Sequence, residues 1–194
     1  MKNILSLLLV ALMAIGVNAG NGNKTVTGGP YKVGDYYNDG TKEGIVFVVY
    51  DGGYHGKIVS LDEETDGLWA LIAAVEKPTG AESKTAGMSN MNKIKKQPNW
   101  KTLYPAFAWC ASSGSGWYLP AIDELKLIYQ NKSIINRRLD ERGYCEIQGY
   151  YWSSTEEWST DFGSSCAWFF CMNDGSVDSS YKSYFNSVRA VAAF

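Results

Sequence analysis

Apolar and polar positions alternate over residues 149–194, where an apolar, β-forming framework is interrupted by patches of Ser, Asp, Tyr, Phe, Asn and Cys. The tripeptide Asn173-Asp174-Gly175 predicts a tight hairpin between segments 165–172 and 176–183, because Asp-Gly supplies the positive φ angles of a two-residue turn. Successive side chains of a strand point to opposite faces. We therefore expect one face of this hairpin in the core and the other exposed, rich in rings and hydroxyls.

A second β-rich region precedes it. Segment 31–37 predicts a short strand, and the β-branched and aromatic run 44–50 predicts a buried strand. The turn at 51–53 should lead into a partner strand over 56–61 and close a hairpin. The apolar stretch 67–75 has no clear period and is either a strand or irregular core.

The middle of the chain shows helical spacing. Met88, Met91 and Ile94 predict a short amphipathic helix over 85–96, and Pro105 can begin another through Cys110. Segment 121–131 predicts a longer helix, and a further turn or two should follow from residue 133 to 143. With a last strand over 187–194 returning beside the first, the pattern predicts an α+β fold.

Length and charge narrow the possible functions. The chain has 194 residues, 45% of them hydrophobic, which suits one domain, here residues 31–194. Its 18 Lys and Arg residues are outnumbered by 20 Asp and Glu residues. No excess of positive charge is present to neutralise a phosphate backbone, so the composition argues against a nucleic-acid partner.

The N-terminus has the pattern of a secretory signal. Residues 1–19 combine Lys2, an apolar core and a small-residue ending, which predicts a cleaved signal peptide, the alternative being an uncleaved anchor. The polar, Gly-rich segment 20–30 predicts a flexible linker. No other stretch approaches about 20 apolar residues. We therefore expect a secreted or cell-surface protein that does not insert into the membrane after signal cleavage.

Residues suited to catalysis or metal binding are few. The only histidine, His55, lies in a Gly-rich turn, and no Gly-x-Ser-x-Gly motif accompanies it. Asp123 and Glu124 are adjacent, so on a helix they diverge and make a poor acid/base pair. Four cysteines permit three disulfide pairings, between which the sequence does not decide. We predict no catalytic residue, no metal site and no cofactor.

Five short pieces of sequence stand in a fixed order: Tyr36 to Gly40, Gly44 to Phe47, Gly116 to Ala121, Tyr151 to Glu156, and Val188 to Val191. In this order they resemble the Lcl C-terminal domain family, a bacterial group found on secreted and surface proteins. The resemblance covers residues 31–194. It implies a C-type-lectin-like fold with two main helices packed on short antiparallel sheets and with adjacent N- and C-terminal strands. The calcium-dependent sugar signatures of that fold are absent, and Met172-Asn173-Asp174 matches one of them only in part.

The C-terminal segment is also similar to the variable regions of proteins diversified by retroelements. In those regions, exposed positions derived from Asn codons interrupt a framework of Trp-Ser-Ser and Val-Arg-Ala-Val. Trp158 and Met172 do not fit such codons and are assigned to the framework. The other interpretation is an ordinary solvated face of an edge hairpin.

Rings and short hydroxyls make adaptable contact surfaces, which favours binding of a protein or glycan. The predicted ligand-binding residues are Trp158, Ser159, Asp161, Phe162, Ser164, Cys171, Asp178, Ser180, Tyr181, Tyr184, Phe185 and Asn186.

Two alternatives accompany the adhesin-like interpretation. One is a structural subunit of a surface fibre, in which this face is buried against a neighbouring subunit. The other is a copper oxidase of the formylglycine-generating type, because Cys166 and Cys171 have the five-residue spacing of its copper ligands. Residues five apart on a strand point to opposite faces, and the Arg-rich stretch expected after the second cysteine is missing. The sequence therefore favours a non-enzymatic binding domain.

Overall fold

The structure, a computed structural model, describes residues 28–194. The predicted signal peptide, 1–19, and the linker up to residue 27 lie outside the described residues. The described chain is α+β, with two five-stranded sheets that are antiparallel except where noted below. The strands are β1 Tyr36–Asn38, β2 Glu43–Tyr50, β3 His55–Val59, β4 Glu64–Leu68, β5 Trp117–Tyr118, β6 Tyr150–Ser159, β7 Gly163–Cys171, β8 Val177–Tyr181, β9 Phe185–Val188 and β10 Val191–Ala193.

Helices occupy the middle of the chain. They are α1 Gly87–Ile94, α2 Trp100–Leu103, α3 Pro105–Ser112, α4 Ile122–Gln130 and α5 Lys132–Asp140. The four predicted helical segments are all present, and α2 is an addition. The expectation of only two main helices was therefore wrong. None of the helices in the described part is long and apolar enough to cross a membrane.

The first sheet has the order β1-β2-β3-β10-β5 and contains the predicted N-terminal hairpin. In it β10 lies between β3 and β5, with Val191 opposite both Val59 and Tyr118. The C-terminal strand thus joins the sheet of the N-terminal strands, but beside β3 and not beside β1 as predicted.

The predicted last strand, 187–194, divides into β9 and β10 because Arg189 is buried between them. Its guanidinium donates to the carboxylate of Glu63 at 3.0 Å and to the carbonyl oxygens of Ser60, Leu61 and Cys145. These bonds fix the point at which the chain leaves one sheet and enters the other.

The second sheet has the order β4-β9-β6-β7-β8, and β6 meets β9 in parallel at Tyr151 and Ser187. The ambiguous stretch 67–75 contains the end of β4 and a short 3-10 turn, Ile72–Ala74. The β7–β8 hairpin has regular register from Cys166 opposite Tyr181 to Phe170 opposite Val177. This hairpin was predicted and is confirmed.

The turn of that hairpin differs from the prediction. The amide of Cys171 donates to the carbonyl of Ser176, which leaves a four-residue loop, 172–175, instead of a two-residue turn. Of its residues only Gly175 has a positive φ, +82°, and its amide donates to the carbonyl of Cys171. The Asp174 carboxylate accepts from the amide of Ser176 at 2.9 Å and from its hydroxyl at 2.7 Å, which stabilises the longer loop.

The segment Trp152 to Glu156 is buried at every position, although it lies on a strand. Its pairing with β7 is interrupted between Trp152 and Glu156, so backbone groups bond elsewhere. The amide of Ser154 donates to the carbonyl of Pro120, and the Trp152 indole donates to the carbonyl of Gly67 at 3.0 Å. This part of β6 is therefore a framework that joins both sheets and the helical region.

A buried ion pair lies below the end of β8. The Lys182 ammonium bonds the carboxylate of Glu156, and both side chains are almost fully buried. The same carboxylate accepts from the amides of Thr79 at 2.9 Å and Gly80 at 3.1 Å, and the ammonium lies 4.6 Å from the centre of the Trp69 ring. Burial lowers the pKa of Lys182, while Glu156 acts in the opposite direction. The pair joins β6, the end of β8 and the loop at 76–81.

The first prediction concerns this pair. Replacing Lys182 by Met leaves Glu156 charged and buried, and we expect a loss of about 3–5 kcal/mol in the free energy of unfolding. The measurement is denaturant unfolding of the chain without residues 1–19. The control is the exposed Lys126→Met, expected within about 0.5 kcal/mol of the unmodified chain. A cost below about 1 kcal/mol for Lys182→Met would show that the pair does not hold these segments together.

The second prediction concerns Asp174. The hydrogen bonds from Ser176 lower its pKa from 3.8 to about 2. Because the folded-state pKa is depressed, the stabilisation is complete above the unfolded-state pKa and is lost as the pH falls through about 2. NMR titration of the Asp174 carboxyl should give this midpoint, and Ser176→Ala should raise it. A midpoint near 3.8 in the unmodified chain contradicts the loop geometry.

Candidate ligand-binding surface

Five aromatic side chains of the predicted surface are exposed to solvent. The exposed fractions are 67% for Trp158, 52% for Phe162, 38% for Tyr181, 57% for Tyr184 and 64% for Phe185. The rings of Phe162 and Tyr181 lie 5.5 Å apart, edge to face, and those of Tyr181 and Tyr184 lie 5.6 Å apart. Trp158 lines the same depression as Phe162 and Tyr181. We call Trp158, Phe162, Tyr181 and Tyr184 the aromatic cluster.

Two turns carry Phe162 and Tyr184, whereas Trp158 and Tyr181 lie near the ends of strands β6 and β8 that lead into these turns. The β6–β7 turn carries Phe162, whose amide donates to the Ser159 hydroxyl at 3.1 Å and whose carbonyl accepts from the amide of Ser165. The β8–β9 turn carries Tyr184, whose amide donates to the carbonyl of Tyr181 at 2.9 Å. The Ser159 hydroxyl and backbone groups hold the first turn closed, and backbone groups hold the second, so neither ring takes part in these hydrogen bonds.

The two turns are tied to each other and to the buried framework. The amide of Lys182 donates to the carbonyl of Ser165 at 3.0 Å, and the carbonyl of Lys182 accepts from the amide of Ala70. Because the side chain of Lys182 is bound to Glu156 below, the ends of β7 and β8 are fixed from both sides. The aromatic cluster therefore rests on a rigid base.

A depression of about 500 Å³ lies beside the cluster. Its walls include Trp158, Phe162 and Tyr181, together with Asp161 and the exposed Glu76. We call this depression the cup. It combines three rings with two carboxylates, and its lining contains no basic side chain.

One wall of the cup was not predicted from the sequence. Glu76 and Pro78 belong to the loop after the 3-10 turn, far from the aromatic cluster in sequence. The Ser164 hydroxyl donates to the carbonyl of Glu76 at 2.9 Å and holds this loop against β7. No local pattern signals such a contact, since it depends on how the loop at 76–81 packs.

Two of the predicted ligand-binding residues, Ser164 and Cys171, are buried and not exposed as expected, although Ser164 is part of the lining of the cup. Ser164 is buried, because its hydroxyl binds the Glu76 carbonyl inside the structure. Cys171 is 3% exposed and lies opposite Tyr150, next to the Met172–Gly149 backbone bond that closes this end of the strand. Both positions were chosen from the resemblance to variable regions, and each lies near an end of β7, where contacts with a neighbouring segment bury it.

The remaining predicted residues do not all lie together. Asp161 and the half-buried Ser159 belong to the turn of the aromatic cluster. Asp178 is exposed three residues before Tyr181 on β8, a separation of roughly 10 Å along the strand. Phe185 and Asn186 lie on β9 opposite Leu68 and Gly67, and Ser180 is half-buried on β8. The surface thus has a centre at the cup and extends along two strands.

Other polar groups of interest have different surroundings. Glu124 is buried and accepts from the Tyr118 hydroxyl at 2.8 Å, whereas Asp123 is exposed, so the two carboxylates are separated. His55 is exposed at the start of β3. Within residues 28–194 no group of three or more His, Cys, Asp or Glu side chains could hold a metal ion.

All four cysteines fall in the described part of the chain, and none is disulfide-bonded. Cys110, Cys166 and Cys171 are buried, and Cys145 is exposed. Burial raises the pKa of the Cys166 thiol, and the nearby Glu157 acts in the same direction. A protonated, buried thiol is a poor nucleophile.

A second depression, of about 510 Å³, lies between the β1–β2 turn and α3. Trp109, Trp117 and Asp62 line it, as does Lys42, whose ammonium donates to the carbonyl of Ala193 at 2.8 Å. None of the predicted surface residues belongs to it.

A scan of the chain against protein-family models and a search of curated proteins found no match.

The third prediction compares substitutions of exposed rings with substitutions at two buried positions of β7. The combined variant Phe162→Ser, Tyr184→Ser, Phe185→Ser should lower the free energy of unfolding by less than about 1.5 kcal/mol in total, because exposed positions contribute little. Ser164→Tyr and Cys171→Tyr, by contrast, should each cost about 1–3 kcal/mol, because both sites are packed. Denaturant unfolding measures all three. If the ring-to-serine variant lost as much free energy of unfolding as Ser164→Tyr and Cys171→Tyr, the rings would be part of the structural framework.

Proposed function

We propose that residues 31–194 form a C-type-lectin-like domain, secreted or displayed at the cell surface, that binds a protein or glycan ligand without catalysing a reaction. The observation that carries the proposal is the aromatic cluster. Four large rings are exposed in one region, with Phe162 and Tyr184 on two turns and Trp158 and Tyr181 near the strand ends that lead into those turns. Exposed contiguous apolar patches of this kind mark interaction sites.

The chemistry of the surface supports a contact role. Tyr, Trp and Phe offer large contact areas at low entropic cost, and the Ser and Asp side chains around them can adapt their hydrogen bonds. The surface also lacks the converging acid, base and nucleophile that a hydrolase requires. Of the candidate groups, Asp123 and Glu124 point apart and His55 lies on β3, outside the cluster.

The fold proposal rests on topology. The C-terminal strand β10 returns to the sheet of the N-terminal hairpin, while β6 to β9 form a second sheet that carries the surface. This arrangement agrees with the organisation that the resemblance to the Lcl C-terminal domain family implies. The structure differs from that organisation in having five helices and in placing β10 beside β3.

The geometry of the cysteines weighs against a copper oxidase. Cys166 and Cys171 lie five residues apart on one regular strand, which separates their backbones by roughly 16 Å. The surroundings differ as well, since burial and the Glu157 carboxylate raise the pKa of the Cys166 thiol against the effect of the Lys182 ammonium, whereas Cys171 lies next to the loop at 172–175. One copper ion would not reach both sulfur atoms without rearrangement of β7.

Diversification of the surface by a retroelement is also part of the proposal, and the exposure of two turn residues supports it. Phe162 and Tyr184 are exposed on turns whose hydrogen bonds do not involve their own side chains, so other side chains would fit there. Ser164 and Cys171 are buried and belong with the framework. A near-copy of the 3′ end of the gene with adenines at the variable codons, beside a reverse transcriptase gene, would support diversification, and its absence would favour an ordinary Lcl-like domain.

The fourth prediction tests binding. The chain without residues 1–19, applied to glycan and protein arrays, should retain specific ligands that the variant Phe162→Ser, Tyr184→Ser loses by at least about tenfold. Tyr54→Ala, which removes an exposed ring elsewhere, should bind as the unmodified chain does.

Light scattering on the same preparations addresses the fibre-subunit alternative. A monomer with array ligands supports the binding domain. Concentration-dependent assembly that Phe162→Ser, Tyr184→Ser abolishes, without any array ligand, would instead assign the surface to contacts between subunits.

A further inference from the structure

The cup is lined by two acidic side chains and, in residues 28–194, by no basic side chain. Glu76 and Asp161 line it, and neither carboxylate takes part in the four ion pairs formed within the described residues. The one hydrogen bond to the Asp161 side chain comes from its neighbour Thr160 and is long, at 3.5 Å. Both charges are therefore available to a ligand.

In the described part of the chain, no basic side chain near the cup neutralises the carboxylates of Glu76 and Asp161. Lys182 lies between the two turns, but its ammonium is buried and bound to Glu156. Lys77 follows Glu76 and is exposed, but it is not part of the cup. The cup thus presents negative charge without an internal counterion.

The aromatic rings also favour a cationic ligand in the cup. The face of an aromatic ring carries partial negative charge and attracts a cation within about 6 Å of its centre, most strongly for Trp. Trp158, Phe162 and Tyr181 supply three such rings in the same depression as the two carboxylates. A neutral ligand could stack on the rings but would leave both carboxylates without a charged partner. An anionic ligand would be repelled.

The volume of the cup points to the kind of cation. About 500 Å³ exceeds the size of an ammonium group alone and suits a cationic head together with an aliphatic stem and adjoining backbone. The stem of a lysine or arginine can pack along ring faces while its head reaches a carboxylate. Tyr184, in ring contact with Tyr181, extends the apolar rim on which neighbouring residues of such a partner could lie.

We infer that the cup receives a lysine or arginine side chain of a protein partner, with Trp158, Phe162 and Tyr181 around the cation and Glu76 and Asp161 as its counter-charges. This inference rests on the proposed function and specifies the ligand class of the same surface.

The experiment uses two pentapeptides with blocked ends. One is Gly-Gly-Lys-Gly-Gly and the other carries norleucine, a neutral residue with a similar stem, in place of lysine. Each is titrated at low ionic strength into the ¹⁵N-labelled chain without residues 1–19. The lysine peptide should shift the Trp158 indole signal and the amide signals of Gly163 and Tyr181. It should bind at least about fivefold more tightly than the norleucine peptide, as a cation–π site with carboxylates predicts.

Matched variants test the charges. Glu76→Gln, Asp161→Asn should remove the preference for lysine and leave the norleucine peptide unaffected. The control Glu146→Gln, Asp66→Asn changes the net charge equally at exposed sites outside the cup and should keep the preference. All four substituted residues are exposed, so each variant should retain the amide spectrum of the folded chain. Raising the salt concentration should weaken lysine binding only partly, because the rings remain.

The other outcomes are distinguishable. Equal binding of the two peptides, or an unchanged preference in Glu76→Gln, Asp161→Asn, overturns the inference, while specific array ligands would still support the proposed function. Tighter binding of phosphocholine than of the lysine peptide would overturn the assignment to a protein side chain. An absence of array ligands combined with assembly of the chain would contradict the proposed function itself.

Discussion

The buried bond between Lys182 and Glu156 sets the geometry of the whole candidate surface. Glu156 lies on β6 two residues before Trp158, and Lys182 lies between Tyr181 and Tyr184. The same carboxylate accepts the amides of Thr79 and Gly80, next to the loop that supplies Glu76. One charged pair therefore joins the three segments that meet at the cup.

An apolar contact could not replace this pair without further change. Removing a charge from water is costly, and two well-packed hydrophobic side chains often stabilise a core as well as an ion pair does. Here, however, the Glu156 carboxylate also satisfies two amides and the hydroxyl of Thr79. The amide and hydroxyl of Thr79 would be buried without this partner if the carboxylate were lost. The pair thus specifies which loop packs against β6, a requirement that hydrophobic burial alone does not impose.

The sequence predicted those features that depend on local pattern. Strands β2 and β3, the β7–β8 hairpin and the exposure of Trp158, Phe162 and Tyr184 all follow from alternation and turn residues. It did not predict features that depend on distant partners. Arg189 divides the last strand because its guanidinium binds residues near Ser60 and Cys145.

The errors at strand ends have a related cause. The resemblance to variable regions assigned Ser164 and Cys171 to the exposed surface, but both are buried near the ends of β7. The two-residue turn was wrong because Cys171 pairs with Ser176, and the loop needs only one glycine at positive φ. Local propensity therefore identified the hairpin, whereas tertiary contacts decided its ends. The acidic wall of the cup, Glu76, was unpredictable for the same reason.

The division between backbone and side-chain roles explains how the surface could vary without loss of the fold. The turns at Phe162 and Tyr184 are closed by backbone amides, so the rings at these positions have no part in forming the turn. Ser159 differs, because its hydroxyl accepts the Phe162 amide. It was predicted as a contact residue, yet its geometry gives it a structural task that only a short side chain with an acceptor oxygen can perform. Variation at 162 and 184 would change the side chains exposed on the candidate surface, whereas variation at 159 would change the β6–β7 turn that carries Phe162.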